Sequence, residues 1–387
     1  MDCESEYLSK AFIHLDRLTH NLRVLQRQVG DRPLWPAIKA NAYGHGIDIV
    51  ARHLVRLGCD TLCVAQVSEA IGLLEAGIEA RFLLLSATLP EHSEAIVSYG
   101  CEPALCTMEM ARALSQAAQR QGREVAVHVM VDTGMGRIGV YPADAPAFVE
   151  RCQALPALRV RGLMSHFPCA DEKDKTLSLQ ELAEFRRVIE ATRSHGIEVR
   201  HMANSAAILD LPDSYLDAVR PGIALYGLAP SAEIVSPRVQ ALRPVLELKS
   251  RLTFLKEVPA GTGLSYGHAY HTKRPSLIAT LPLGYGDGLS RNLSNSFEVL
   301  VAGQRCPQVG RITMDQSLID VTALRGRVAV GDEVVVIGQQ GEQTVTADEL
   351  AGLLGTINYE VVTAISQRVP RVAVTGCGGE GRSGEWR

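Results

Sequence analysis

Lys39 ends a short apolar run, Leu34 to Ile38, and opens into a turn rich in Asn and Gly, Ala40-Asn41-Ala42-Tyr43-Gly44-His45-Gly46. Desolvating an ammonium is unfavourable. The same desolvation lowers its pKa and turns the amine into a nucleophile suited to Schiff-base chemistry. A lysine snorkelling from a strand end is the alternative. Asp132 to Arg137, Ser165-His166, Asn204-Ser205 and Arg220-Pro221-Gly222-Ile223 also follow apolar runs. A guanidinium beside an apolar strand needs a specific acceptor, which marks Arg220 as functional. His166 stays open between a working imidazole and a satisfied core histidine. Ser205 reads as a plain N-cap. It reads equally as a hydroxyl that, with free N–H groups at Gly222 and Ile223, holds a phosphate.

The elements that must carry these residues follow a rhythm. Apolar, β-branched runs recur near 34–39, 61–66, 82–86, 102–105, 124–132, 158–164, 198–203 and 218–225. Helical patterns lie between them, such as Ile47–Leu57, Val67–Ala76, Glu91–Tyr99, Met108–Gln121, Ala145–Ala154, Leu177–Ser194 and Ser205–Leu211. Strand–helix alternation implies a parallel sheet. The count of runs is that of a (β/α)8 TIM-type barrel, whose catalytic groups project from the C-terminal ends of the strands. The residues singled out above fall at that rim. A phosphate site on the last strands beside a strand-end lysine points to pyridoxal 5'-phosphate.

The rhythm breaks where Pro230, Pro237 and Pro244 cluster. Beyond it Val245–Val258, Ser276–Leu283, Phe297–Val301, Ser317–Val321 and Asp332–Ile337 alternate like antiparallel strands, with one helix opened by Thr346-Ala347-Asp348-Glu349. The expected organisation is α/β: a barrel over 1–240, a mainly β C-terminal domain over 241–375, and a Gly-rich, polar tail over 376–387 expected to be disordered.

The 387 residues are 46% hydrophobic and 21% charged, with a formal net charge of -4. That balance gives no electrostatic footprint for nucleic acid, and no apolar run is long enough to span a bilayer. The acidic N-terminus has no apolar h-region, so a cytoplasmic protein without signal peptide is expected. Nine scattered cysteines suggest reduced thiols rather than a disulfide frame. Cys59 and Cys63 lack a second pair, and no metal is expected.

Several stretches together resemble the alanine racemases, fold-type III pyridoxal-phosphate enzymes with a barrel plus a β-domain. They are Ala37-Ile38-Lys39-Ala40-Asn41-Ala42-Tyr43-Gly44-His45-Gly46, Val131-Asp132-Thr133-Gly134-Met135-Gly136-Arg137, Ser165-His166-Phe167, Ala203-Asn204-Ser205 and Val219-Arg220-Pro221-Gly222-Ile223. Leu264-Ser265-Tyr266-Gly267, Leu283-Gly284-Tyr285-Gly286, Gly310-Arg311-Ile312-Thr313-Met314-Asp315 and Asn358-Tyr359-Glu360 continue the match. The resemblance implies an isomerase that interconverts L- and D-alanine. In it Lys39 carries the cofactor and is one base, and Tyr266 from the partner subunit of a homodimer is the opposed base. Two bases are needed because the proton leaves one face of Cα and returns to the other. A tyrosine is a weak base at its reference pKa near 10, and the family places His166 and Arg220 behind that phenol. Arg220 is implied at the pyridine nitrogen, where the related barrel decarboxylases have a glutamate.

Tyr43, Ser205, Gly222, Ile223 and Tyr359 match the phosphate-binding positions. Arg137 is implied at the cofactor's phenolic oxygen and at the substrate carboxylate, and Met314 offers its N–H to that carboxylate. Tyr285 and Tyr359 narrow the active-site entrance. Seven residues before Arg137, where many members have a carbamylated lysine, this chain has Met130. Methionine is only a weak acceptor, so Arg137 has another brace or is looser; Met130 also reads as core filler. A broad-specificity amino-acid racemase and a non-catalytic pyridoxal-phosphate carrier are the alternatives. The resemblance does not distinguish D-alanine supply for peptidoglycan from L-alanine catabolism.

Overall fold

A computed structural model describes residues 7–234 and 236–376. The chain divides into two compact units, one of Arg17–Ala42 with Ile47–Arg243, the other of residues up to Asp16, Tyr43–Gly46 and the chain from Pro244 on.

The first strand, β1 (Lys10–His14), leads into the helix Leu15–Val29. Six parallel strands follow: β2 (Thr61–Val64), β3 (Arg81–Leu84), β4 (Glu102–Leu105), β5 (Val125–Met130), β6 (Leu158–Met164) and β7 (Val199–His201). They pair in chain order. Helices such as Ile47–Arg56, Val67–Glu75, Met108–Arg120 and Thr176–Ala191 connect them, as the 3.6-residue apolar spacing requires.

Two further runs close the ring with isolated parallel bridges, Ala37 to Cys63, Leu34 to Val219 and Ala218 to His201. The bonds include Ile38 N–H to Cys63 O at 2.8 Å, Cys63 N–H to Pro36 O at 2.7 Å and Trp35 N–H to Val219 O at 2.9 Å. Pro33, Pro36 and Pro221 have no N–H to give, so these runs cannot build longer ladders. The result is the expected barrel of eight parallel segments. Residues of β2 and β4 are buried throughout, because a barrel strand faces the interior on one side and helices on the other.

The second unit is mainly β. Its larger sheet contains β1, which pairs antiparallel with β8 (Leu246–Arg251) and parallel with Arg371–Val374. The barrel boundary drawn at residue 1 therefore does not hold at the N-terminus: β1 satisfies its backbone groups on these strands. The run Val245–Val258 is also two strands, β8 and Phe254–Val258, which join different sheets. Phe254–Val258, Ser276–Leu281 and Ser317–Asp320 form a smaller antiparallel sheet. Thr346 caps the helix Ala347–Leu354, its Oγ1 accepting the Glu349 N–H at 3.0 Å. The helix Asn358–Ala364, absent from the sequence reading, carries Tyr359. The tail expected to be disordered lies, from residue 377, outside the described residues.

Candidate active site

Lys39 stands where the first barrel segment ends. Burial, then Arg137 and, more weakly, Arg220 draw its pKa below the lysine range, against smaller opposing pulls from Cys63 and Glu69. The amine is thus poised as a free base at less alkaline pH than an exposed lysine. Immediately after it the backbone turns left-handed at Ala40 (φ 52°, ψ 55°), Asn41 (φ 56°, ψ 44°) and Ala42 (φ 54°, ψ 52°), and Tyr43 has φ 52°. This conformation costs L-residues about 1–2 kcal/mol each. It is held by the Ala42 N–H on Ile38 O at 2.8 Å, the Ala40 N–H on Glu69 Oε1 at 2.7 Å and the Ile47 N–H on Asn41 Oδ1 at 2.8 Å.

Arg220 is buried in the barrel. Its Nη2 donates to Ser165 O at 2.6 Å and Met202 O at 3.2 Å and faces His166 Nδ1 at 3.5 Å, while Nη1 donates to His201 Nδ1. Its Nε–H has no acceptor among the described residues. Burial pushes the guanidinium down to about 10, still protonated at neutral pH. Burial, then the charges of Arg220, Arg137 and Lys39, push His166 down to about 3, so this imidazole is neutral. With Nδ1 toward Arg220, the proton sits on Nε2 and is free to donate.

Asn204 caps the helix Ser205–Asp210 by accepting the Ala207 N–H at 3.1 Å, so the capping role belongs to Asn204 and not to Ser205. Ser205 Oγ accepts the N–H groups of Gly222 at 2.8 Å and Ala224 at 3.2 Å. The expectation of a free N–H at Gly222 is therefore corrected: a hydroxyl aimed at a tight turn takes it. Ile223 begins a 3-10 turn, so its N–H has no acceptor within that turn. The Ser205 hydroxyl hydrogen remains available as a donor.

Asp132 Oδ1 accepts the N–H groups of Gly134 at 3.2 Å and Gly136 at 3.0 Å and shapes the loop that presents Arg137. Arg137 is exposed and makes no hydrogen bond or ion pair among the described residues. Met130 packs with Ala104 and Met164, and Ile138 lies against that cluster. It is core filler, the second of its two readings.

The second unit carries the other candidate residues. The Tyr43 ring lies 6.1 Å from that of Tyr359. Tyr266 is 70% exposed, Met314 53% and Tyr285 43%. Ser265 (φ 59°) and His268 (φ 45°) bracket the turn that projects Tyr266. The Tyr285 and Met314 loops are stitched together by the Tyr285 N–H on Thr313 O at 3.0 Å and the Gly286 N–H on Met314 O at 2.9 Å. They touch so closely that a Cβ at Gly284 would lie 2.2 Å from Thr313 O.

Residues 13–230 match the family described as "Alanine racemase, N-terminal domain", and 245–373 the one described as "Alanine racemase, C-terminal domain". The chain belongs to the alanine racemase family. It is 44% identical over 366 residues to "Alanine racemase 2" of Caldanaerobacter subterraneus subsp. tengcongensis, covering 94% of each chain. An alanine racemase structure from Clostridium difficile 630 superposes with a TM-score of 0.91 at 37% identity, covering 95% of this chain and 96% of that one. One from Streptomyces coelicolor A3(2) also gives 0.91, at 38% identity, covering 97% and 100%.

Within this alanine racemase framework the structure adds residues the sequence reading missed. Glu69 anchors the backbone beside Lys39. His201, His128 and Glu102 lie behind Arg220. Glu69 sits third in its helix and reads as a capping-box residue. His128 and Glu102 lie on apolar strands and read as core. Their only sequence signal is a titratable residue at an inward position.

Proposed function

We propose that the protein interconverts L- and D-alanine with pyridoxal 5'-phosphate, as a cytoplasmic homodimer in which each site takes residues from both copies. The observation that carries this reading is the barrel rim itself. It gathers a lysine of depressed basicity, two arginines and a neutral histidine, and among the described residues no carboxylate touches Arg220. The residues fit the cofactor. Lys39 offers a nucleophilic amine, Arg220 an unengaged Nε–H for a ring nitrogen, and Ser205 and Ile223 donors for a phosphate, with Gly222 shaping that turn; Tyr43 and Tyr359 are the family's remaining phosphate-binding positions. When bound, pyridoxal phosphate supplies an electron-withdrawing system conjugated to the substrate nitrogen, which acidifies the Cα–H bond.

The chain's residues then move one proton. The Lys39 amine takes it from, or returns it to, one face of Cα, and the Tyr266 phenol of the second copy does the same on the opposite face. Neutral His166 donates its Nε2–H to that phenol and has Arg220 behind it, so the positive charge behind the tyrosine sits on the guanidinium and not on the imidazole. A guanidinium donates but does not release a proton, so Arg220 at the ring nitrogen would leave it unprotonated and restrain chemistry beyond proton exchange. Arg137 would hold the substrate carboxylate and the cofactor's phenolic oxygen, and the Met314 N–H of the second copy would reach the same carboxylate. Tyr285 and Tyr359 restrict the entrance to small side chains.

Exposed Arg137, which makes no hydrogen bond or ion pair among the described residues, favours a second reading, a wider substrate range; racemisation rates across serine, lysine and arginine separate it from strict alanine use. A carrier without turnover leaves Tyr266 and Met314 without a purpose. The test is circular dichroism of L-alanine incubated with cofactor-loaded protein. The signal should decay to zero, and persistent optical activity would overturn the proposal.

A further inference from the structure

A line of hydrogen bonds runs from Arg220 through the barrel interior. Arg220 Nη1 meets His201 Nδ1; His201 Nε2 meets His128 Nδ1 at 2.8 Å; His128 Nε2 meets Glu102 Oε2 at 2.9 Å. Both imidazoles are fully buried, and Glu102 also accepts from Arg161. Trp35 walls the line, edge-on to both rings at 4.8 Å and 5.9 Å, and the Arg161 guanidinium lies over the Trp35 ring. A Cβ at residue 162 would lie 2.1 Å from His128 Nδ1, so the place of this imidazole requires Gly162 in β6.

The ends of the line decide its protonation. A guanidinium only donates and a carboxylate only accepts. His201 must therefore accept at Nδ1 and donate at Nε2, and His128 must do the same toward Glu102. A proton added to either ring would set two donors face to face. One arrangement satisfies every link: both histidines neutral, both protonated at Nε2. Burial works in the same direction, holding both imidazoles below the usual histidine range despite the pull of Glu102 on His128. The charged groups facing them are Arg220, Arg161 and Glu102. Among the described residues no carboxylate touches Arg220.

We infer that Glu102 is the counter-anion of Arg220, acting across two tautomer-locked imidazoles, and that Glu102, His128 and His201 are positioning residues for the guanidinium. The line is an electrostatic tether and not a proton conduit. Moving its protons toward Glu102 would neutralise an arginine with an acid whose reference pKa lies about eight units lower. In the folded chain the tether fixes the guanidinium plane and offsets part of its charge. It thereby limits how strongly the Arg220 Nε–H donates. This rests on the reading of Arg220 as the ring-nitrogen partner.

Histidine-selective 15N NMR of the loaded enzyme tests the tether without reference to turnover. The His128 and His201 imidazoles should both show the Nε2–H tautomer and no titration between pH 5.5 and 9. A titrating or Nδ1-protonated ring at either position, assigned by His128→Gln and His201→Gln, overturns the proposal. Glu102→Gln keeps the acceptor for His128 but removes the charge. It should shift the His201 nitrogens and the visible absorbance of the bound cofactor, and lower kcat about tenfold with KM for alanine unchanged. Gly162→Ala, which displaces the His128 ring, should move the same signals. A Glu102→Gln enzyme that melts lower but leaves these signals and kcat in place would show a structural role only. If instead wild-type enzyme failed to racemise alanine, the functional reading would fall while the tautomer result stood.

Discussion

Glu69 accepts the N–H of Ala40 at 2.7 Å through Oε1, one residue beyond Lys39, and takes the N–H groups of Ala65 at 2.8 Å and Gln66 at 3.0 Å through Oε2. One carboxylate thus ties the start of the left-handed turn to the end of β2. Glu69→Ala leaves these donors without their acceptor. We expect a loss of about 2 kcal/mol in urea unfolding together with weaker capture of pyridoxal phosphate in a spectroscopic titration. Both unchanged would remove Glu69 from the account of how Lys39 is aimed.

Lys39→Ala should fold, because the side chain lies at a rim and not in the core. The loaded wild type should show a visible absorbance band, and borohydride reduction should fix a pyridoxyl group on the peptide containing Lys39. In the variant both should vanish while the melting temperature stays within about 3 °C. A retained, reducible band would place the cofactor on another amine.

Gly44 has φ +81°, and a Cβ there would lie 2.0 Å from the backbone oxygen of Val362. Backbone cannot swing aside as a flexible side chain can. Gly44→Ala should therefore destabilise the protein by at least about 2 kcal/mol, measured by chemical denaturation. A neutral effect would mean that the turn after Tyr43 is not held as described.

The buried imidazoles make stability depend on pH. His128, His166 and His201 all have folded pKa values depressed by burial, His166 to about 3. Their stabilising share is therefore complete above the unfolded value near 6.5 and declines below it, each by about 1.4 kcal/mol per pH unit. Glu181 has the opposite sign. Its buried carboxyl, without a hydrogen-bond partner among the described residues and pushed up to about 7, favours the fold at low pH and loses that share as pH rises from about 4.3 to 7. Three histidines outweigh one glutamate, so the urea midpoint should fall from pH 7 to pH 5. A flat profile would contradict neutral buried histidines.

Much of the candidate site was legible because its residues follow apolar runs at one barrel rim, as Lys39, His166 and Arg220 do. The helices were legible through their spacing. The tether behind Arg220 was not, since a histidine inside a run such as Val125–Met130 has the same pattern whether it faces a charge or a methyl group. β1 was misplaced because its partners lie more than two hundred residues away, and local periodicity carries no information on pairing. Asn204 and Ser205 are adjacent candidates for one cap, and only geometry separates the cap from the hydroxyl that holds Gly222.

The claim that each site joins two copies of the chain has a direct test in complementation. Lys39→Ala and Tyr266→Phe dimers, each inactive, are mixed, dissociated and reassociated. Half of the reassociated dimers carry one site in which both bases are native, so activity should return to about a quarter of wild type. No recovery, with heterodimers demonstrated in the mixture, would contradict the shared site.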